Sequence, residues 1–99
     1  LKLKYMQDLD NDNQKFYKEK ILNSLGYIVL ENRKKTGKGI NKFSFEYDIG
    51  NGLLSKLEKG YIDARLTTVW KLANAFGMKC SDFIKLIEDR LDNDFNFYN

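Results

Sequence analysis

Apolar residues in this chain recur at helical intervals, and no proline interrupts them. Nowhere do apolar and polar residues alternate strictly, as they would in a half-buried strand, and Val and Ile are scattered. A chain patterned this way is restricted to helices stopped by turns. Residues 14–35 place Tyr17, Ile21, Leu25, Ile28 and Val29 on one helical face. That face runs out in "ENRKKTGKG" (31–39), where basic residues suit the negative end of the helix dipole and Gly37 supplies a stop. Gly26, inside the pattern, marks either a break or a close contact with another helix.

The same reading gives four shorter helices. Residues 40–48 carry Phe43 and Tyr47 on one face, with Ile40 beside them. A third helix runs from Asn51 to Lys59, closed by Gly60. A fourth, 66–76, turns Leu66, Val69, Trp70, Ala73 and Phe76 inward and ends at Gly77. The fifth runs from about Ser81 to Leu91, with Phe83, Ile84, Ile87 and Leu91 apolar and Ser81 as candidate N-cap. Residues 1–13 read as an N-terminal extension and 92–99 as a C-terminal tail, disordered unless they dock, on either side of one domain spanning 14–91. The tail carries Phe95, Phe97 and Tyr98, placed to pack back on the domain or on a partner protein or second subunit.

Ninety-nine residues suit one domain, and 42% hydrophobic content supports a single small core. No apolar run approaches the ~20 residues needed to span a bilayer. The first residues, "LKLKYMQDLDNDNQ", contain no signal-peptide hydrophobic region, so a cytoplasmic location is expected. Histidine is absent, which removes the commonest general base and metal ligand. The lone cysteine, Cys80, allows neither an internal disulfide nor a Cys-rich metal site, and reads as a small buried residue at a turn. With no paired carboxylates on one face and no phosphate loop either, the expectation is no enzyme, no catalytic residue, no metal and no cofactor.

The net charge of +3 is unevenly spread. Residues 14–87 hold 14 basic and 7 acidic residues, whereas both ends are net acidic. A basic centre of this kind is the electrostatic footprint of a protein that binds a polyanion. Within it, two short helices joined tightly at 48–50 suggest a helix-turn-helix, over about 40–59. Phe43 and Tyr47 would pack the first helix, Ile49 would hold the turn, and Leu54 and Leu57 would anchor the second. Asn51, Gly52, Ser55, Lys56 and Lys59 are then left facing outward.

At these residues the chain resembles the Cro/C1-type helix-turn-helix family of phage repressors and bacterial regulators. The likeness covers "LGYIVLENRKKTG" (25–37), "FSFEYDIGNGLLSKLEKG" (43–60) and "LTTVWKLANAFGMKCSDFIKLI" (66–87), in family order and spacing. Four positions depart from the family pattern. Asp48 stands where Gly is usual at the turn, and Ser44 where Ala is usual. Ile40 stands where a polar, phosphate-touching residue is usual, and Ala64 where Pro is usual.

The resemblance implies an all-α, compact five-helix lambda-repressor-like DNA-binding domain. It also implies a sequence-specific transcriptional regulator, repressor-like and homodimeric, with the helix starting at Asn51 in the major groove. Base reading would fall to Asn51, whose amide can pair with both edge groups of adenine, then Lys56, then Ser55. Gly52 would let backbone approach the duplex, and Leu53, if exposed, would meet a thymine methyl. Phosphate contacts would come from Asn41, Lys42, Lys59 and Arg65, with Lys34, Lys35 and Lys38 nearby. Arg33 and Glu58 would form a structural ion pair orienting the reading helix. The competing expectation is a protein-interaction module, such as an antitoxin or adaptor, using the same motif and the aromatic tail.

Overall fold

The structure, a computed structural model, describes the backbone of residues 2–98 and the side chains of residues 13–98; of the two expected extensions, Leu1, Asn99 and the side chains of 2–12 lie outside this description. Five helices follow one another: α1 Lys2–Thr36, α2 Ile40–Tyr47, α3 Asn51–Glu58, α4 Leu66–Ala75 and α5 Cys80–Glu88. No strand occurs among the described residues. The 2–13 segment is not a separate element, for its backbone continues the helix of α1 without a break. Helix α1 packs against α3 and α5, α2 against α3, and α4 against α5.

Three helices close with one device. At the end of α2, Asp48 takes left-handed backbone (φ 53°) and the Ile49 N–H donates to the Ser44 carbonyl at 3.0 Å. After α3, Gly60 (φ 74°) is followed by a Tyr61 N–H bond to the Lys56 carbonyl at 3.0 Å. After α4, Gly77 (φ 75°) is followed by a Met78 N–H bond to the Ala73 carbonyl at 2.8 Å. In each, the wide bond satisfies a carbonyl the helix leaves orphaned, and the reversal requires positive φ. Asp48 is the one non-glycine residue with positive φ among those described. Aspartate is among the few side chains that tolerate this region, which is why the turn survives without glycine.

The core is centred on Val29, Phe43, Leu54, Leu57, Leu72, Ala73 and Phe83, all fully buried. An aromatic column crosses it: Tyr47 on Phe43 (4.7 Å between ring centres), Phe43 on Phe76 (5.2 Å) and Phe76 on Phe83 (5.9 Å). The column ties the helix-turn-helix to the last two helices. Gly26 resolves as a close contact: a Cβ there would lie 2.5 Å from the Leu57 carbonyl oxygen and 2.8 Å from that of Glu58. The backbone of α1 therefore touches the backbone of α3.

Helix α4 corrects the expected inward set. Leu66 and Trp70 are 67% and 54% exposed, and Leu72 is fully buried in their stead. The buried stripe is Val69, Leu72 and Ala73, extended by the half-buried Phe76, and Trp70 sits about 100° around the helix from Val69, off that stripe. Ile84 of α5 is likewise exposed, beside Trp70 in one shallow hollow. Trp70 fluorescence is therefore expected to be quenched readily by acrylamide in the native state. Trp70→Ala should destabilise by less than about 1 kcal/mol, against the ~3–5 kcal/mol of a core tryptophan. A blue-shifted, quencher-resistant emission would contradict this placement.

The start of α5 is also corrected. Its N-cap is Lys79, whose carbonyl accepts the Phe83 N–H at 3.1 Å, and Ser81 is an exposed first-turn residue. Cys80 is the first helical residue and is buried. The helix ends at Glu88, three residues before Leu91. Beyond it, the tail docks on α1. Tyr17 receives Phe95 edge-on at 5.4 Å and Phe97 at 5.8 Å, and Gln14 Nε2 donates to the Phe97 carbonyl at 2.9 Å. Tyr98 alone of the tail aromatics projects outward.

Ser44 of α2 is buried, and its hydroxyl has no hydrogen-bond partner among the described residues. An unmade bond of this kind costs about 1–3 kcal/mol. Ser44→Ala removes the orphan and improves helix propensity, so it should raise stability by about 1 kcal/mol, read as a higher urea midpoint with unchanged slope. A lower midpoint would mean that the hydroxyl has a partner in solution.

Candidate nucleic-acid interface

Helix α3 is eight residues long, and two of them, Leu54 and Leu57, are fully buried. Their spacing of three fixes which way the rest point. Asn51, Gly52, Leu53 and Lys56 are exposed and Ser55 is half-buried, so the expected reading residues share the outward side. Gly50 caps the helix with extended backbone (φ −55°, ψ 135°), and its carbonyl accepts the Leu54 N–H at 2.9 Å. Among the described residues no side chain hydrogen-bonds to the cap, and nothing lies within 4 Å of where a Cβ on Gly52 would stand. The tip is bare, with helix-start amides directed outward, an arrangement that favours anionic oxygens.

The expected phosphate-contacting residues surround this tip unevenly. Asn41 and Lys42 are exposed at the start of α2, Lys59 is exposed at the end of α3, and Arg65 is exposed where it caps α4. The Lys59 ammonium lies 5.9 Å from the Tyr61 ring centre. Lys34 and Lys35 are exposed at the end of α1. Lys38 is already engaged: its ammonium pairs with the Glu46 carboxylate and reaches the Tyr47 hydroxyl at 3.5 Å. That pairing holds Glu46 below its ordinary range and Lys38 above its own. The contribution of Glu46 is present at neutral pH and fades as pH falls below 4.5, whereas that of Lys38 fades as pH rises above 10.5. The pair is intact between these limits.

Two carboxylates near the motif, Glu46 and Asp48, are each matched by a lysine. Lys71 of α4 donates to the Asp48 carbonyl at 3.1 Å and lies 3.6 Å from its carboxylate. Sequence reasoning missed Lys71, because a contact spanning 23 residues leaves no local signal. It also missed Phe45, which stands 88% exposed on the outer side of α2. A third missed contact lies at the tip, where Asn51 Nδ2 donates to Asn41 Oδ1 at 3.1 Å. It joins a residue expected to read bases to one expected to touch phosphate.

Behind α3 stands the ion pair. Arg33 Nε donates to Glu58 Oε2 at 2.6 Å and a second guanidinium nitrogen to Oε1 at 2.8 Å, the bidentate fork. A third nitrogen donates to the Lys38 carbonyl at 3.0 Å. The two side chains are 12% and 6% exposed. Hydrogen bonding to Glu58 holds the Arg33 guanidinium above its ordinary pKa, so it is charged at every accessible pH.

Away from the motif, a groove of about 590 Å³ lies between α1, α5 and the tail, with Ile21, Leu25, Val69, Ile87 and Phe95 among its walls. No motif residue lines it. Among the described residues no His, Cys, Asp and Glu group could hold a metal ion, and no helix is long and apolar enough to cross a membrane. Compared with known proteins, the chain matches no protein-family model, no curated protein and no solved structure.

Proposed function

We propose that this protein is a Cro/C1-type helix-turn-helix regulator that binds double-stranded DNA sequence-specifically, repressor-like and as a homodimer, with the start of α3 in the major groove. The observation that carries this reading is the bare tip of α3, with Asn51, Gly52 and Leu53 uncovered and Lys42, Lys56, Lys59 and Arg65 exposed on the motif and just beyond it. Asn51 and Lys56 arm the helix lightly. Each bidentate base contact adds about 1–3 kcal/mol of discrimination, so two protomers on half-sites ~34 Å apart double what one supplies.

A mobility-shift titration over a range of salt concentrations tests the reading. Each neutralised phosphate contributes roughly 0.9 to the log–log salt slope, so three cations per protomer give a dimer a slope of roughly −5. The double variant Lys56→Glu/Lys59→Glu should lose affinity on the order of 100-fold near 0.1 M salt while keeping its helical spectrum. Absence of binding to any duplex at low salt would end the proposal, as would a double variant that binds as wild type does.

A second reading, a protein-interaction module such as an antitoxin or adaptor, is favoured by the exposed apolar side chains Leu66, Trp70 and Ile84 on α4 and α5. A stable co-purifying protein that buries Trp70, joined to weak salt-dependent DNA affinity, would select it.

A further inference from the structure

Ten asparagines occur in the chain, and Asn51 alone is followed by glycine. The side-chain amide of an asparagine lies within reach of the next residue's backbone nitrogen. When that nitrogen attacks Cγ, a Cγ–N bond forms and the Cγ–Nδ2 bond breaks. Ammonia leaves, carrying the proton that the backbone N–H gives up. Water then opens the resulting succinimide ring at either carbonyl, yielding aspartate or isoaspartate with nothing oxidised or reduced. Most neighbours hinder the attack with a Cβ; glycine has none, and its backbone turns freely.

The structure places this dipeptide where the step is least restrained. Asn51 and Gly52 are both exposed, and nothing lies within 4 Å of where a Cβ on Gly52 would stand. The Gly52 N–H is one of the first four of α3, which have no acceptor within the helix. For the attack Asn51 must leave helical backbone, and helix ends open far more readily than the core. A second glycine, Gly50, stands on its other side, and among the described residues no side chain hydrogen-bonds to the cap. The Leu54 N–H bond to the Gly50 carbonyl, at 2.9 Å, is one of the few that opening the first turn breaks. The Asn51 amide itself is held to Asn41 at 3.1 Å by a bond between two exposed side chains, open to exchange with water. Asn23 makes the contrast. It precedes Ser24, also a small residue, but Ser24 is buried in the middle of α1, where loosening the helix would disturb the core.

We infer that Asn51-Gly52 is a site of spontaneous deamidation, with water as its co-reactant, and that the conversion disarms the tip of α3. The second half rests on the DNA-binding reading; the first does not. Either product carries a carboxylate where a neutral amide stood. A carboxylate only accepts hydrogen bonds, so it cannot donate to adenine N7, and it repels phosphate. Aspartate is favourable at a helix start, so this product disarms the tip while the domain stays folded.

The experiment incubates the whole protein at neutral pH and physiological temperature. Samples are digested with trypsin, which releases residues 43–56 as one peptide whose single asparagine is Asn51. That peptide should gain the mass of an amide-to-acid change, with isoaspartate at 51, before any other asparagine-containing peptide changes. Gly52→Ala should slow the conversion roughly tenfold, about 1.4 kcal/mol on the barrier. The fraction of wild type retained on an immobilised duplex should fall in step with the conversion, and the retained protein should be unconverted. Asn51→Asp, made directly, should keep the helical spectrum and bind the duplex at least about tenfold more weakly. If Asn51 stays intact while other asparagines convert, or if Gly52→Ala converts as fast as wild type, the inference is wrong and the DNA-binding reading stands. If Asn51 converts and the converted protein binds as fresh protein does, the tip is not disarmed and the inference fails in its second half. If fresh wild type binds no duplex, the DNA-binding reading and the second half fall together, and the peptide masses alone decide the first.

Discussion

Gly26→Ala is expected to destabilise the protein by about 3 kcal/mol or to prevent folding altogether, although it places a better helix former in the middle of a helix. Propensity alone predicts a gain of about 1 kcal/mol. The opposing effect is steric. The added methyl would lie 2.5 Å from the Leu57 oxygen and 2.8 Å from the Glu58 oxygen, and both are backbone atoms that cannot rotate away. Relief requires α1 and α3 to separate, which strips contacts from Val29, Leu54 and Leu57 in the centre of the core. Overpacking of this kind costs about 1–3 kcal/mol where side chains can adjust, and more where they cannot. A small domain has only about 5–15 kcal/mol in total, so a fall in urea midpoint by a third or more is expected. Gly52→Ala is the internal control. It is the same substitution in a helix, with nothing within 4 Å of the new methyl, and it should be neutral or stabilising by up to about 1 kcal/mol. Equal effects at the two positions would show that α1 and α3 do not touch as described.

The contrast between these two glycines shows what a sequence displays and what it conceals. Both interrupt helical patterns, and nothing local separates them. Gly37, Gly60 and Gly77 were legible as stops, because a positive-φ residue after an apolar stripe is a local requirement, and all three have φ of 73–75°. The outward face of α3 was legible too, because Leu54 and Leu57 alone determine it. Trp70 was not. On α4 two overlapping stripes compete, one through Leu66 and Trp70 and one through Leu72, and the packing of the helix on the rest of the core decides between them. The tail was legible in composition but not in destination, since Phe95 and Phe97 dock on Tyr17, at the far end of the chain. The exposure of Asn51 and Lys56 could be read from the same spacing. The Asn41–Asn51 bond and the Lys71 brace on Asp48 could not, because polar pairs across a turn leave no periodic trace.

Arg33→Leu and Glu58→Leu, made singly, are each expected to destabilise by about 3–5 kcal/mol, since each leaves the partner charge buried without compensation. Glu58 is the last residue of α3, where the helix dipole disfavours a carboxylate, so without Arg33 it is unfavourable twice over. Loss of Arg33 also frees the Lys38 carbonyl and with it the connection from α1 to α2. The double variant should lose much less than the sum, because two leucines of similar bulk replace two charges and leave no orphan. A coupling above about 2 kcal/mol in a double-mutant cycle is the expected result. Additive losses below about 1 kcal/mol each would place the pair among screened surface contacts and overturn its structural role. Stability and orientation then separate in the double variant. Two parallel bonds from one planar guanidinium fix the direction of Glu58, and hence the angle at which α3 leaves the body, whereas an apolar pair fixes only distance. If the protein binds DNA as proposed, an Arg33→Leu/Glu58→Leu protein that folds at near wild-type stability should still bind duplexes under low salt, through lysines the change does not touch. On that proposal its preference among sequences should flatten, because an α3 free to rock by a few degrees no longer brings Asn51 to the same base edge. Retention of full selectivity in that variant would mean that α3 is oriented by its contact with Gly26 and its two buried leucines, with the ion pair adding stability alone.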